Sequence, residues 1–206
     1  MAVFLALELS SSHCTVAVFC NGNITQHDFS DQRGRGVVCA IENILSELSI
    51  EPKRLDAIYV GIGPGSYTGL RIACSAAVML AYALGIGCHG INSFEAMAWR
   101  AAKQQPLTII LDAYRQQYYH AEYYVEKQKL ICSQQPHIIE QADWDSTRES
   151  STPDTCAEDI LRFVNEFIGK HPDTPFNHLF AAEPLYLRPP AFRQQKKSAT
   201  KQIGAL

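Results

Sequence analysis

The feature that most constrains this chain is the stretch GIGPGSYTGLR at residues 61–71, which packs four glycines and one proline into its first nine residues. It overlaps the end of the compact apolar run LDAIYVGI, residues 55–62, and leads into an alanine-rich run at residues 68–84. The short apolar run predicts a buried strand, and the longer run predicts a helix. A strand, a tight turn and a helix in direct succession predict an α/β fold with this loop near its centre.

The glycines have two explanations, and the sequence leaves both open. In the first, Gly63 and Gly65 permit positive φ in a tight turn, Pro64 fixes the entry to that turn, and Gly69 lets the helix pack closely on a neighbour. In the second, amides at the helix N-terminus bind an anion. The loop is neither a P-loop nor a dinucleotide fingerprint, because the lysine and the acidic residue of those motifs are absent. The candidate loop residues are Gly63, Pro64, Gly65, Ser66, Tyr67, Thr68, Gly69 and Arg71.

The first half of the chain reads as one lobe, residues 1–104. Three strands are predicted at residues 3–9, 14–20 and 23–29, with a hairpin at Asn21-Gly22. A strand near residues 88–91 and a helix at residues 93–103, capped by Ser93, complete the lobe. A first helix is predicted from an apolar stripe at helical spacing formed by Val37, Val38, Ile41, Ile44, Leu45 and Leu48.

The second half repeats this pattern in shortened form, as a lobe at residues 105–190 followed by a basic tail at residues 191–206. Strands are predicted at residues 107–114, 117–126 and 129–140, and a helix at residues 154–168. A polar loop at residues 141–154 separates the last strand from that helix.

Composition bounds the functional classes. The 206 residues are 47% hydrophobic, which is enough for a sizeable core, and the N-terminus lacks the basic region of a signal peptide. With no apolar run expected to reach the length of a membrane span, we expect a cytoplasmic protein. Seven cysteines without a Cys-x-x-Cys pair indicate buried reduced thiols instead of a disulfide framework or a zinc knuckle.

Charge is distributed unevenly along the chain. The last 21 residues contain five basic and no acidic residues, which leaves 13 basic against 21 acidic residues, a charge of −8, in the rest. A basic tail of this kind contacts RNA phosphates in some proteins, but a solvated C-terminus is the more common explanation.

Four segments together resemble the bacterial TsaB (YeaZ) family: GPGSYTGLR, LALELSSSHCTVAV near the N-terminus, LDAYRQQYYHAEY at the start of the second lobe, and PLYLRPP near its end. The resemblance implies a two-lobed actin-like fold of the ASKHA, ribonuclease H-like class, with a shortened second lobe. It also implies a non-catalytic scaffold that binds TsaD, with TsaE in the wider complex, and a homodimer when the chain is alone. The implied process is N6-threonylcarbamoylation (t6A) of adenosine 37 in tRNAs that read codons beginning with A.

The chain departs from that family at the expected nucleotide cleft. Glu8 stands where the family has aspartate, and Tyr114 stands where it has arginine, although Arg115 follows. The resemblance therefore implies a degenerate cleft formed by Glu8, Ser10, Asp112 and Arg115. It implies no cofactor in the isolated chain, with ATP and magnesium acting only at the level of the complex and tRNA contacted through that complex.

Metal binding is not expected either. TsaD carries two metal-binding histidines in a string that aligns with residues 90–97 here, where Ser93 and Met97 occupy the histidine positions. A hydroxyl and a thioether are poor ligands for a divalent metal. A glycoprotease-type metallopeptidase is therefore the least favoured alternative, and an ATP-dependent phosphotransferase or ATPase using Glu8 and Asp112 is the main one.

Partner binding is predicted on two adjacent helices. The small side chains of the helix after the glycine loop permit close approach of another helix, and the apolar stripe before it extends this surface. The predicted interface with TsaD or with a second copy consists of Val37, Ile41, Ile44, Leu48, Ala73, Ala76, Ala77 and Leu80.

Overall fold

The computed structural model describes residues 2–30, 34–101, 107–127, 129–144, 155–166 and 180–188. The predicted basic tail, the predicted end of the third helix at Lys103 and most of the predicted polar loop at residues 141–154 lie outside these residues.

Every strand and helix predicted in the first lobe is present. The elements there are β1 (Val3–Glu8), β2 (Cys14–Cys20), β3 (Asn23–Phe29), α1 (Gly34–Glu47), β4 (Ala57–Gly61), α2 (Tyr67–Leu84), β5 (Gly87–Ile91) and α3 (Ser93–Arg100). Asn21 and Gly22 have φ of 54° and 81°, as expected for the predicted hairpin between β2 and β3. The cap of α3 corrects the prediction, because Asn92, and not Ser93, accepts from the amide of Phe94 at 2.9 Å.

The three strands and the helix predicted for the second lobe are also present, and a short strand that was not predicted follows them. These elements are β6 (Leu107–Asp112), β7 (Gln117–Glu126), β8 (Lys129–Glu140), α4 (Ala157–Glu166) and the unpredicted β9 (Phe180–Ala181).

Two sheets organise these elements. The first has the order β3-β2-β1-β4-β5-β9, with β1 antiparallel to β2 and parallel to β4, and β4 parallel to β5. The second is the antiparallel meander β6-β7-β8. Because β1 and β4 are adjacent and parallel, their carboxyl ends lie side by side at the same end of the strands. The glycine loop, which follows β4, therefore lies beside the chain that leaves β1.

Helices cover both faces of the first sheet. Leu5 and Leu7 of β1 face α1 and α2, whereas Ala6 between them belongs to the cluster around α4, as the period of two in a strand requires. Helix α4 therefore packs on the first sheet, where its Ala157 amide donates to the Thr15 hydroxyl at 2.8 Å.

Strand β9 also joins the first sheet, since it pairs in parallel with β5. Two elements that the sequence analysis assigned to the second lobe thus return to the first sheet. The lobe boundary between residues 104 and 105 remains a prediction.

Helix α2 is the one described helix that is long and apolar enough, by length and composition, to cross a membrane. This corrects the expectation that no run reaches that length. In the structure α2 packs along β4, β5 and β1, and its Ala73, Ala77 and Ala81 are fully buried. The apolar character of α2 therefore builds the core on this face of the sheet.

The cysteines are free, and their burial is mixed. Cys14, Cys74 and Cys88 are buried as expected, whereas Cys39 is exposed. Burial raises the pKa of Cys74 to about 12 and that of Cys88 to about 11, so both stay protonated at neutral pH.

Candidate functional site

The glycine loop holds helix α2 against the chain that leaves β1. The Ser66 amide donates to the Ser10 carbonyl at 2.6 Å. A Cβ at Gly65 would overlap the Ser10 carbonyl oxygen, and a Cβ at Gly69 would overlap that of Leu9. Close packing of backbone on backbone is thus what requires glycine at these two positions.

The predicted backbone conformations of the loop are confirmed in part. Gly63 has φ of 95°, as expected, and its carbonyl accepts from the Ser93 amide at 3.0 Å. Gly65 does not have positive φ, so that part of the prediction is wrong. Ser66 caps α2, since its hydroxyl accepts from the Gly69 amide at 3.2 Å.

A buried carboxylate, Glu8, lies beneath this loop with 1% of its surface exposed. One of its oxygens accepts from the Ser10 amide and the other from the Ser93 hydroxyl, each at 2.7 Å. The Ser10 hydroxyl in turn shares a hydrogen bond of 2.9 Å with that of Thr155. Burial raises the pKa of Glu8 against the opposing effect of these hydrogen bonds.

The four residues predicted to form a degenerate nucleotide cleft do not line one cavity. Glu8 and Ser10 are buried in the network just described. Asp112 and Arg115 are exposed, and the Asp112 carboxylate accepts from the Tyr114 amide at 2.7 Å. Of the four, only Arg115 lines the cleft between the two lobes.

That interlobe cleft has a volume of about 560 Å³ and is formed by three separate segments. The segments are the start of α2 with the glycine loop, the turn between β6 and β7, and the chain just after β9. Among the residues that the structure describes, no acidic side chain lines this cleft, and its arginines and tyrosines are Arg71, Arg115, Arg188, Tyr67, Tyr114, Tyr119 and Tyr186.

Two of these tyrosines and one arginine pack together at the mouth of the cleft. The rings of Tyr67 and Tyr186 are 4.8 Å apart between centroids. The Arg71 guanidinium lies 5.4 Å from the Tyr67 ring centroid and also donates to the hydroxyl of Tyr67 at 2.8 Å. This contact holds the guanidinium close to the glycine loop.

The turn on the opposite side of the cleft has an unusual backbone. Tyr114, Arg115 and Gln116 have φ of 58°, 58° and 61°, a left-handed conformation that non-glycine residues seldom adopt. The turn is braced by Arg188, which donates to the Ala113 carbonyl at 3.2 Å and to the Gln117 side chain. These contacts place the Arg115 and Tyr114 side chains at the cleft.

A second surface, the apolar groove, runs between α1 and α2 and has a volume of about 670 Å³. Val38 of α1 is 50% exposed there and Met79 of α2 is 68% exposed. The rest of its lining is mostly apolar and includes Ile41, Leu45, Ile50, Ala76 and Leu80. Large apolar side chains left this exposed are typical of contact surfaces.

The predicted partner interface divides between this groove and the core. Ile41, Ala76 and Leu80 line the groove, and Leu48 is half-buried against the core. Val37, Ile44, Ala73 and Ala77 are fully buried against the chain's own sheet, which corrects the prediction for these four. They cannot meet a partner unless the chain opens.

The two positions that align with the metal-binding histidines are parts of the core. The Ser93 hydroxyl is used by Glu8 and by the Gly63 amide, which donates to it at 3.2 Å. Met97 is fully buried in the apolar cluster beneath the second sheet. In the part of the chain that the structure describes, no cluster of three or more histidine, cysteine or acidic side chains could hold a metal ion.

Comparison with known proteins identifies the family. Residues 30–176 match the family model described as TsaD, tRNA N6-adenosine threonylcarbamoyltransferase. Two relatives carry the name tRNA threonylcarbamoyladenosine biosynthesis protein TsaB. That of Buchnera aphidicola from Acyrthosiphon pisum is 30% identical over 59% of this chain and 57% of its own length. That of Bacillus subtilis is 33% identical over 51% of this chain and 46% of its own length. The chain belongs to the TsaB (YeaZ) family.

Solved structures of the TsaB (YeaZ) family confirm the predicted fold class. YeaZ from Pseudomonas aeruginosa is 21% identical and matches with a TM-score of 0.75 over 91% of this chain and all of that one. A second Pseudomonas aeruginosa crystal structure, of an uncharacterized protein with similarity to peptidase YEAZ, is 22% identical and matches with a TM-score of 0.76 over the same shares. The fold is the actin-like, ribonuclease H-like class expected from the sequence.

Sequence reasoning named the glycine-loop side of the cleft and Arg115 but missed the rest of the lining of this TsaB-family chain. Arg188 was assigned to the basic C-terminal region, and Tyr114 was treated only as a departure from the family pattern. Tyr186 was not singled out, although it lies in the PLYLRPP segment. The available signal was that two segments resembling the family, around residues 112–115 and 184–190, each carry an arginine within two residues of a tyrosine.

Proposed function

We propose that this chain is a non-catalytic subunit that binds TsaD and supports t6A formation at adenosine 37 of tRNA. The apolar groove between α1 and α2 carries the proposal. A chain whose relatives are named for threonylcarbamoyladenosine biosynthesis leaves Val38 and Met79 largely exposed on two neighbouring helices.

The family relation favours TsaD as the occupant of this groove. The family model described as TsaD spans residues 30–176, which include both α1 and α2. Two chains of one fold can present the same pair of helices to each other around an approximate two-fold axis. A second copy of this chain is the competing occupant, and we expect the homodimer to form when TsaD is absent.

The burial and hydrogen bonding of Glu8 support the non-catalytic part of the proposal. Both of its oxygens accept hydrogen bonds from the chain itself, and the side chain is buried, so it is not free to coordinate a metal-bound nucleotide. Asp112, the other carboxylate of the ATPase alternative, binds the backbone of its own turn. ATP, magnesium, TsaE and the tRNA would then act in a cytoplasmic complex in which this chain is a scaffold.

The test is co-purification with the TsaD of the same organism, followed by a t6A assay with and without this chain. We expect a stable heterodimer and t6A formation that depends on it. Formation of t6A at the same rate without the chain would contradict the proposal. So would ATP turnover by the isolated chain that disappears in Glu8→Gln or Asp112→Asn.

A further inference from the structure

The interlobe cleft is lined by charged and aromatic side chains that take no part in the proposed binding of TsaD at the apolar groove. Three arginines from distant parts of the sequence, Arg71, Arg115 and Arg188, line one cavity of about 560 Å³, and none of the described residues that line it is acidic. Two carboxylates flank the lining residues in sequence, and neither lines the cavity. Asp112 accepts from the Tyr114 amide, and Glu183 lines an adjoining pocket with Arg71 and Tyr186.

The charges of these arginines are not neutralised within the described residues. None of the three makes an ion pair with any acidic side chain that the structure describes. Arg188 donates to a carbonyl and an amide oxygen, and Arg71 donates to a tyrosine hydroxyl. Three uncompensated positive charges around one concave surface create a potential that favours an anion with several negative groups.

Exposed aromatic rings accompany the charges. Tyr114 is 64% exposed, Tyr186 is 40% exposed and Tyr67 is 37% exposed. Three of the six large hydrophobic side chains that are most exposed on the described surface thus border this one cleft. Tyrosine faces beside arginines are the usual combination in sites for single-stranded nucleic acid, where bases stack on the rings and phosphates meet the guanidinium groups.

We propose that the interlobe cleft binds single-stranded RNA, with Arg71, Arg115 and Arg188 on the phosphates and the exposed rings of Tyr114 and Tyr186 on the bases. This goes beyond the proposed function, which needs only the apolar groove. The carboxylates of an acidic peptide could pair with the arginines, but such a peptide would leave the tyrosines without a role. A free nucleotide has its phosphates in one place and could not reach three separate arginines. The experiment distinguishes RNA from both of these ligands.

The experiment is a titration of the full-length chain against a fluorescent single-stranded RNA of about 10 nucleotides, a length within the usual site sizes. Fluorescence anisotropy is measured over a series of salt concentrations. Each phosphate neutralised on a single strand contributes about −0.7 to the slope of log affinity against log salt. We expect a contribution of about −2 from the three arginines of the cleft.

Single substitutions separate the charges from the rings. Arg115→Ala and Arg71→Ala should each weaken binding and reduce the steepness of the salt dependence by about 0.7. Tyr114→Ala should weaken binding by at least about fivefold with an unchanged slope, since stacking is not ionic. Circular dichroism and the melting temperature establish that each variant is folded.

Two controls isolate the cleft from other basic groups. Arg54→Ala removes an exposed arginine that precedes β4, at the end of that strand opposite the glycine loop, and should change neither affinity nor slope. Replacing the basic residues after position 190 with glutamine removes any contribution of the basic tail to RNA affinity. The effects of Arg115→Ala and Tyr114→Ala should persist in that background.

Three results would overturn the proposal. The first is wild-type affinity and slope in folded Arg71→Ala and Arg115→Ala. The second is binding of a polyglutamate peptide as tight as that of the RNA, with no effect of Tyr114→Ala, which would assign the cleft to acidic peptides. The third is competition by AMP at the concentration at which the oligonucleotide competes, which would assign it to free nucleotides. None of these bears on co-purification with TsaD, so the two proposals fail separately.

Discussion

The first turn of helix α2 and its later turns border two different surfaces. Tyr67, Thr68 and Arg71 line the interlobe cleft, whereas Ala76, Met79 and Leu80 line the apolar groove. A third face of the same helix, with Ala73 and Ala77, is buried in the core. The comparison shows that a small residue on α2 can lie in the core, as Ala73 and Ala77 do, or on a surface, as Ala76 does, so that residue size alone does not identify the partner-binding face.

The largest effect is expected where a small residue is buried. Ala77 is fully buried between α2 and its own sheet, so Ala77→Trp should lower the free energy of unfolding by about 3 kcal/mol, the upper end of the usual cost of overpacking. Urea denaturation of the isolated chain measures this directly. The matched variant Ala76→Trp, on the groove side of the same helix, should lower it by less than about 1 kcal/mol. Equal destabilisation of the two variants would mean that the groove is closed in solution.

The next largest effect concerns the groove itself. Val38→Asp combined with Met79→Asp places two charges on exposed apolar positions, so the fold should survive while TsaD binding weakens by at least about a hundredfold. Calorimetric titration against TsaD gives the affinity.

The cleft end of α2 supplies the control for this variant. Thr68→Asp adds a charge to an exposed position of the same helix that lines the cleft, and it should leave TsaD binding unchanged while weakening RNA binding. Loss of TsaD binding in Thr68→Asp would mean that the two surfaces are not separate.

A smaller effect is expected from Ala76→Trp on association. A bulky side chain in the groove keeps a partner helix away, and overpacking at a close contact costs about 1 to 3 kcal/mol, so TsaD binding should weaken by roughly ten- to a hundredfold. The same titration tests it. Unchanged affinity in this folded variant would show that the partner contacts α1 and the outer edge of α2 without approaching Ala76.

Much of the fold could be predicted from the sequence because its signals are local. Asn21-Gly22 specifies its hairpin, and Gly85 ends α2 in a left-handed conformation with φ of 69°. The docking of α4 could not be predicted, because its apolar stripe shows only that it packs on something. The cleft could not be predicted for a related reason: Arg71, Arg115 and Arg188 are brought together only by the path of the whole chain.

The smallest expected effect concerns the network that holds α2 between its two surfaces. Glu8 hydrogen-bonds Ser10 and Ser93, whose backbones in turn hold the glycine loop. Burial raises the pKa of Glu8 above its ordinary value of 4.5, with a further contribution from the negative charge of Asp159.

A raised pKa in the folded chain means that the folded state holds this proton more tightly than the unfolded state. The stabilisation from Glu8 is therefore complete below pH 4.5 and is lost as the pH rises through the higher value of the folded chain. Glu8→Gln cannot ionise, so its free energy of unfolding relative to the wild type should increase as the pH rises over that window. Urea denaturation of both proteins at a series of pH values measures the difference. A difference that stays constant with pH would mean that the pKa of Glu8 is the same in the folded and unfolded chain. The packing of α2 would then not depend on the protonation of this buried carboxyl group.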